Sequence, residues 1–280
     1  MFSNNDIARY YDLSEVHYRI FWDLEKSKSL HYGYWDATTR NFHEALLNIN
    51  LILSLRADIT PSDRVLDAGC GIGGSSIWLA SSIGCHSTGI SLSQKQVNKA
   101  KTKAEEAKVS ERTDFQVKDF TKTDFPDESF DVVWAIESIC HAEDKALFLK
   151  EAFRVLKKGG RLIMADFFKK ENLQGKDAEM IRDWAHGWAV PDFSILNEFT
   201  SQIKQAGFSG FKTEDATEAI RPSAKKLYRA YWIGILGAKL YALFKNPTEF
   251  SKKNVETAYL QYKTLQKGLW EYSIVKAVKN

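Results

Sequence analysis

The sequence has few cysteines, almost no net charge and no long apolar run. Its three cysteines, Cys70, Cys85 and Cys140, stand far apart and lack the spacing of metal ligands, so they read as free thiols in a reducing compartment. A formal net charge of +3 over 280 residues is too small an excess to argue for nucleic acid as a partner. No apolar stretch reaches the roughly 18 residues that a spanning helix needs. The first residues, Met1-Phe2-Ser3-Asn4-Asn5-Asp6, lack the basic start and apolar run of a signal peptide, and the expectation is a cytoplasmic protein. Internal repeats and low-complexity linkers are also absent.

What is present begins at Val65-Leu66-Asp67-Ala68-Gly69-Cys70-Gly71-Ile72-Gly73-Gly74. A short apolar run ends in an acid, passes into a glycine turn and opens the helix Ser75-Ser76-Ile77-Trp78-Leu79-Ala80. In an open α/β sheet such a turn lets the backbone approach a nucleoside closely. No Lys-Ser/Thr pair follows, so the phosphate-cradling pattern is missing and the site is that of a nucleoside without a polyphosphate. The next strand ends Gly89-Ile90-Ser91-Leu92-Ser93 with no carboxylate for a ribose diol, which disfavours a nicotinamide dinucleotide. Asp119, after the third strand, is placed to accept from an adenine amino group, with Phe120 beside it.

From 64 to about 168 strands and helices alternate: strands at Arg64–Ala68, His86–Ile90, Thr113–Val117, Phe130–Ile136 and Arg161–Ala165, helices at Gly74–Ile83, Gln94–Lys108 and Lys145–Leu156. This rhythm predicts a doubly wound, Rossmann-like, mostly parallel sheet, with ligands at the carboxyl ends of its strands. Residues 1–60 read as an N-terminal helical cap, 61–168 as the core, 169–195 as an insertion or lid, and 196–280 as the C-terminal part of the sheet with its own helical cap. All belong to one folding unit. Aromatics crowd both ends. Tyr11, Tyr32, Tyr34, Trp35 and Trp188 have two readings, packing of the caps or the wall of an acceptor pocket closed by them. Trp184 and His186 share that ambiguity. Asp166 either faces the site or bonds its own loop.

In their order, Asp67–Gly73, Gly89-Ile90-Ser91, Lys118-Asp119-Phe120 and Phe125–Asp131 resemble the successive motifs of class I S-adenosylmethionine-dependent methyltransferases. Ala135–Ala142 is similar to sterol C-methyltransferases, and Leu30–Trp35 with the C-terminal helices resembles the tocopherol methyltransferase branch. The resemblance implies a seven-stranded sheet whose reversed last strand is Leu269–Val278. It implies cofactor contacts at Asp67, Gly69, Cys70, Gly71, Ser91, Gln96, Asp119, Phe120 and Ile136, and no metal. The methionine end would lie over Gly69–Gly71.

Methyl transfer is an in-line displacement from an activated donor, so alignment in a dry pocket carries most of the catalysis. An oxygen or nitrogen acceptor needs a base such as His141. An alkene acceptor passes through a carbocation that Glu137 and aromatic faces would stabilise. The expected acceptor is a small, largely apolar lipid or natural product, methylated on carbon or oxygen. The alternatives are N-methylation of a small amine held in an aromatic cage, and a cofactor-binding protein without turnover. The Ser223–Lys245 helix, basic and aromatic beside its apolar side, has three readings: packing against the sheet, closing the pocket, or a peripheral membrane contact.

Overall fold

The computed structural model describes residues 2–4, 6–10, 29–242 and 249–280, with side chains described outside 233–255. Tyr11 lies outside the described residues, as do Tyr18, Phe21 and Trp22. Among the described residues the strands are β1 (Arg64–Ala68), β2 (His86–Ser91), β3 (Thr113–Val117), β4 (Phe130–Ile136), β5 (Leu156–Lys169), β6 (Ser194–Ile195), β7 (Ser209–Asp215) and β8 (Trp270–Val278). Their order is β3-β2-β1-β4-β5-β8-β7, with the first five parallel and β8 antiparallel to both its neighbours. The expected seven-stranded sheet with a reversed last strand is therefore present, and β6 adds a two-residue pairing beside β5.

The central strands run between two apolar layers. Val132, Val133, Trp134 and Ala135 of β4 are all at most 1% exposed, as a parallel strand covered on both faces requires. Successive side chains point to opposite faces. Val65, Val132 and Ile163 join one core with Leu46, Ile49 and Leu53 of α1 (Phe42–Arg56), whereas Leu66, Val133 and Leu162 join the other. Around the sheet lie α2 (Gly74–Trp78), α3 (Gln94–Glu106), α4 (Lys145–Val155), α5 (Gly175–Gly187), α6 (Leu196–Gln205), α7 (Thr217–Ala242) and α8 (Glu249–Gln266). None of the described helices is long and apolar enough to cross a membrane.

Two local expectations change. The helix expected over Gly74–Ile83 is α-helical only to Trp78 and widens into a π turn over Leu79–Ile83. The fifth strand begins at Leu156, because that residue leaves α4 in an extended conformation and pairs with Phe130 before the Gly159-Gly160 pair is reached. Within the segment 169–195, expected as an insertion or lid, α5 packs against the sheet. Trp184 of α5 is fully buried and joins a cluster of rings around Phe167 of β5.

Candidate active site

The strand order reverses between β1 and β4, and beyond their carboxyl ends lies a cavity of about 510 Å³. The glycine turn forms one side of it. Gly69 and Cys70 both donate their N–H to Ile90 O, at 3.0 and 2.9 Å, which folds the turn over the end of β2. Gly69 has φ +94, and a Cβ there would stand 2.4 Å from the Cβ of Ser138. Only glycine allows the turn to pass so close to the loop after β4. Ser138 in turn donates its hydroxyl to Ala68 O at 2.6 Å, lacing the ends of β1 and β4 together. Asp67, also on the cavity wall, accepts the Ser76 hydroxyl at 2.7 Å, and burial pushes its carboxyl up to about 6.

Ser91 and Gln96 both line the cavity and are bonded to each other, the Ser91 hydroxyl donating to Gln96 Oε1 at 2.7 Å. Ser93 caps α3 by accepting the Gln96 N–H, while the Gln96 amide oxygen accepts from Ser91. Asp119 accepts twice from Thr121 through Oδ1, at 2.7 Å each. Its Oδ2 accepts from the Asn4 side-chain amide at 2.7 Å, so the acceptor expected to meet adenine is engaged by the N-terminal segment. Phe120 lines the cavity and packs edge-on against Phe148.

Glu137 and His141 follow β4 and both line the cavity, as does Ile136. Glu137 Oε1 accepts the Tyr32 N–H at 2.7 Å and the Tyr272 hydroxyl at 2.9 Å. Burial pushes its carboxyl up to about 8 against the lowering effect of those two bonds. Burial pushes the His141 imidazole down to about 4, so it is neutral at pH 7. Its Nδ1 stands 3.2 Å from Ala189 O, which can only accept; the proton therefore sits on Nδ1 and the lone pair on Nε2. His31, which motif reasoning passed over, lines the same cavity with the same pattern: Nδ1 is 2.9 Å from Tyr32 O and burial lowers its pKa to about 4. Asp166 bonds locally, accepting from the N–H of Cys140 at 2.9 Å and of Phe167 at 2.9 Å, and so ties the turn that carries His141.

The aromatic wall expected of Tyr32, Tyr34, Trp35 and Trp188 is elsewhere; none of them lines the cavity. Tyr32 and Trp188 meet Phe167 at 5.5 and 5.6 Å between ring centres, within the cluster that also buries Trp184. Trp35 donates its indole N–H to Ser223 Oγ at 3.0 Å, and Tyr34 donates its backbone N–H to Ala45 O. These residues hold the cap to α7 and α1, because large rings gain most by packing against one another. Phe2, Ile7, Ala8 and Leu30 are among the apolar side chains that do line the cavity, and they carry no periodic pattern that would reveal them.

The cavity suits a nucleoside donor: positive-φ glycines leave room on one side, and a carboxylate and a phenylalanine follow β3 on the other. Residues 66–164 match the family described as a methyltransferase domain. The chain is 35% identical over 222 residues to the 27-O-demethylrifamycin SV methyltransferase of Amycolatopsis mediterranei, with 79% of this chain and 80% of the relative covered. It is 33% identical over 227 residues to the 2-methyl-6-phytyl-1,4-hydroquinone methyltransferase of Synechocystis, covering 79% and 70% respectively. The cyclopropane synthase MmaA2 from Mycobacterium tuberculosis shares the fold at a TM-score of 0.83, with 16% identity and 99% of each chain covered. The chain belongs to the class I S-adenosylmethionine-dependent methyltransferases. It is a methyltransferase enzyme, and S-adenosylmethionine is its cofactor.

Proposed function

We propose that this enzyme methylates a small, largely apolar acceptor on carbon or oxygen. The observation that carries the proposal is the juxtaposition in one cavity of Glu137 and His141 with the apolar Phe2, Ile7, Ala8 and Leu30. The relatives support it, since one is a methyltransferase of 27-O-demethylrifamycin SV and another of a phytyl hydroquinone. Gly69, Cys70 and Gly71 would hold the methionine end of the cofactor, with Asp67 beneath the turn. Ser91 and Gln96 would lie near the ribose, Asp119 and Phe120 near adenine, and Ile136 beside them. S-adenosylmethionine supplies a methyl group already activated on a sulfonium.

The chain's own residues then align the acceptor, exclude water and handle the proton. For an oxygen acceptor, the lone pair on His141 Nε2 or the ionised Glu137 carboxylate takes the hydroxyl proton. For a carbon acceptor, the Glu137 carboxylate faces the positive charge that develops before a proton is lost. The amine reading wants ring faces around the acceptor; Phe2 and Phe120 are the phenyl rings that line the cavity among the described residues. In Glu137→Gln the dissociation constant for S-adenosylmethionine should stay within about twofold while kcat falls about 100-fold or more, in the range for loss of a positioned acid–base group. Calorimetry and a turnover assay give both numbers; near-normal turnover removes Glu137 from the mechanism.

A further inference from the structure

One hydrogen bond in the site comes from the far end of the chain. Tyr272 lies on β8, 135 residues from Glu137, and donates its phenolic O–H to Glu137 Oε1 at 2.9 Å. The Tyr32 N–H donates to the same oxygen at 2.7 Å. Both donors stand behind the cavity: Tyr272 is 0% and Tyr32 1% exposed, and neither lines it. Glu137 does line it, and its Oε2 accepts no hydrogen bond among the described residues. The residue sits at φ +49, a left-handed conformation unusual for glutamate, and its N–H donates to Ala165 O at 2.9 Å. A strained backbone, with one carboxylate oxygen fixed from behind by two donors, aims the other oxygen forward.

We propose that Tyr272 is a positioning residue for methyl transfer: together with the Tyr32 N–H it pins Glu137 Oε1, so that Oε2 faces the acceptor. This rests on the reading of Glu137 as the carboxyl that meets the acceptor. Tyr272 is itself well held. Its ring packs edge-on against Phe167 at 5.3 Å, and its own N–H donates to Thr217 Oγ1 at 2.9 Å. Burial and the Glu137 charge keep its hydroxyl protonated, hence a donor, far into the alkaline range.

The charged and titratable groups around Glu137 are Asp166 on β5 and Tyr272 on β8, with Cys140 and His141 following it and His31 next to Tyr32 on the cavity wall. The Asp166 charge raises the Glu137 pKa, whereas the bonds from Tyr32 and Tyr272 favour the ionised form and lower it. Removing the Tyr272 hydroxyl therefore moves Glu137 further up.

Tyr272→Phe deletes one oxygen and keeps the ring against Phe167. We expect kcat to fall about 10-fold, with the dissociation constant for S-adenosylmethionine unchanged within about twofold, as loss of one charge-assisted hydrogen bond implies. The retained binding reports an intact fold. The rising limb of kcat/KM should shift to higher pH by roughly half to one unit. The infrared band of the protonated Glu137 carboxyl, identified by its loss in Glu137→Gln, should titrate higher by the same amount. In the Glu137→Gln background, Tyr272→Phe should change kcat by no more than about twofold, since it acts through Glu137. An equal effect in both backgrounds, or an unmoved carboxyl titration, would overturn the proposal. A titration that moves while kcat does not overturns it too; the Glu137→Gln turnover, measured separately, then tells whether Glu137 itself was the wrong group.

Discussion

Glu137, His31 and His141 share one cavity and are driven toward neutrality by the same cause. Removal from water disfavours charge of either sign, so the carboxyl rises to about 8 and the two imidazoles fall to about 4. At pH 7 all three are mostly uncharged, an environment in keeping with an apolar acceptor. The stability consequences have opposite signs. The Glu137 carboxyl is raised above its ordinary 4.5, so its contribution is fully present below pH 4.5 and is lost as pH rises through about 8. The imidazoles are depressed from their ordinary 6.5, so theirs is present above pH 6.5 and lost as pH falls through about 4. Glu137→Gln should therefore gain on the unmodified chain between pH 4.5 and 8, by at least a few degrees in melting temperature at the alkaline end. Thermal melts across that range check it, and a gap that stays constant with pH contradicts the shift.

Among the elements, the N-terminal segment is the one whose position changes the picture of the site. Phe2 meets His186 edge-on at 5.9 Å, Asn4 holds Asp119, and both line the cavity together with Ser3, Ile7 and Ala8. If adenine is to use Asp119, its amino group must take the oxygen that Asn4 now occupies. Asn4→Ala should then tighten S-adenosylmethionine binding by roughly 2- to 10-fold, the range set by one hydrogen bond. Weaker binding in that variant, measured by calorimetry, would mean that Asn4 helps to hold the cofactor. Much of the scaffold was legible beforehand for definite physical reasons. A parallel strand buried on both faces must be apolar throughout, as β4 is, and a turn with positive φ at close backbone approach needs the glycines at 69–73. The ligands of those elements were harder to read. Alternation along β8 tells which face Tyr272 takes but not that its hydroxyl meets a carboxylate 135 residues upstream. Tyr32, Tyr34, Trp35 and Trp188 looked like a pocket wall because rings that pack together and rings that grip a ligand have the same composition. Only three-dimensional proximity to Phe167, Ser223 and Ala45 separates the two.

At the scale of the molecule, the sheet brings distant stretches to one point. The end of β1 supplies the glycine turn, the end of β4 supplies Glu137 and His141, the last strand supplies Tyr272, and the cap supplies His31 and the Tyr32 N–H. The Tyr32 hydroxyl donates to Gln261 of α8 at 2.8 Å, and the Gln261 amide donates to Ala224 O of α7, so the helical layer is tied to the same centre. The bonds of Tyr32 thus link cap, sheet and C-terminal helices, while the apolar Phe2, Ile7, Ala8 and Leu30 reach the cavity from the N-terminal end of the chain. The most direct test of this account is to supply the enzyme with S-adenosylmethionine carrying a labelled methyl group, and to offer a prenylated phenol, a sterol and a small amine side by side. The account predicts label in the phenol or the sterol and none in the amine. Label in the amine alone, or bound cofactor with no label transferred to any of the three, would contradict it.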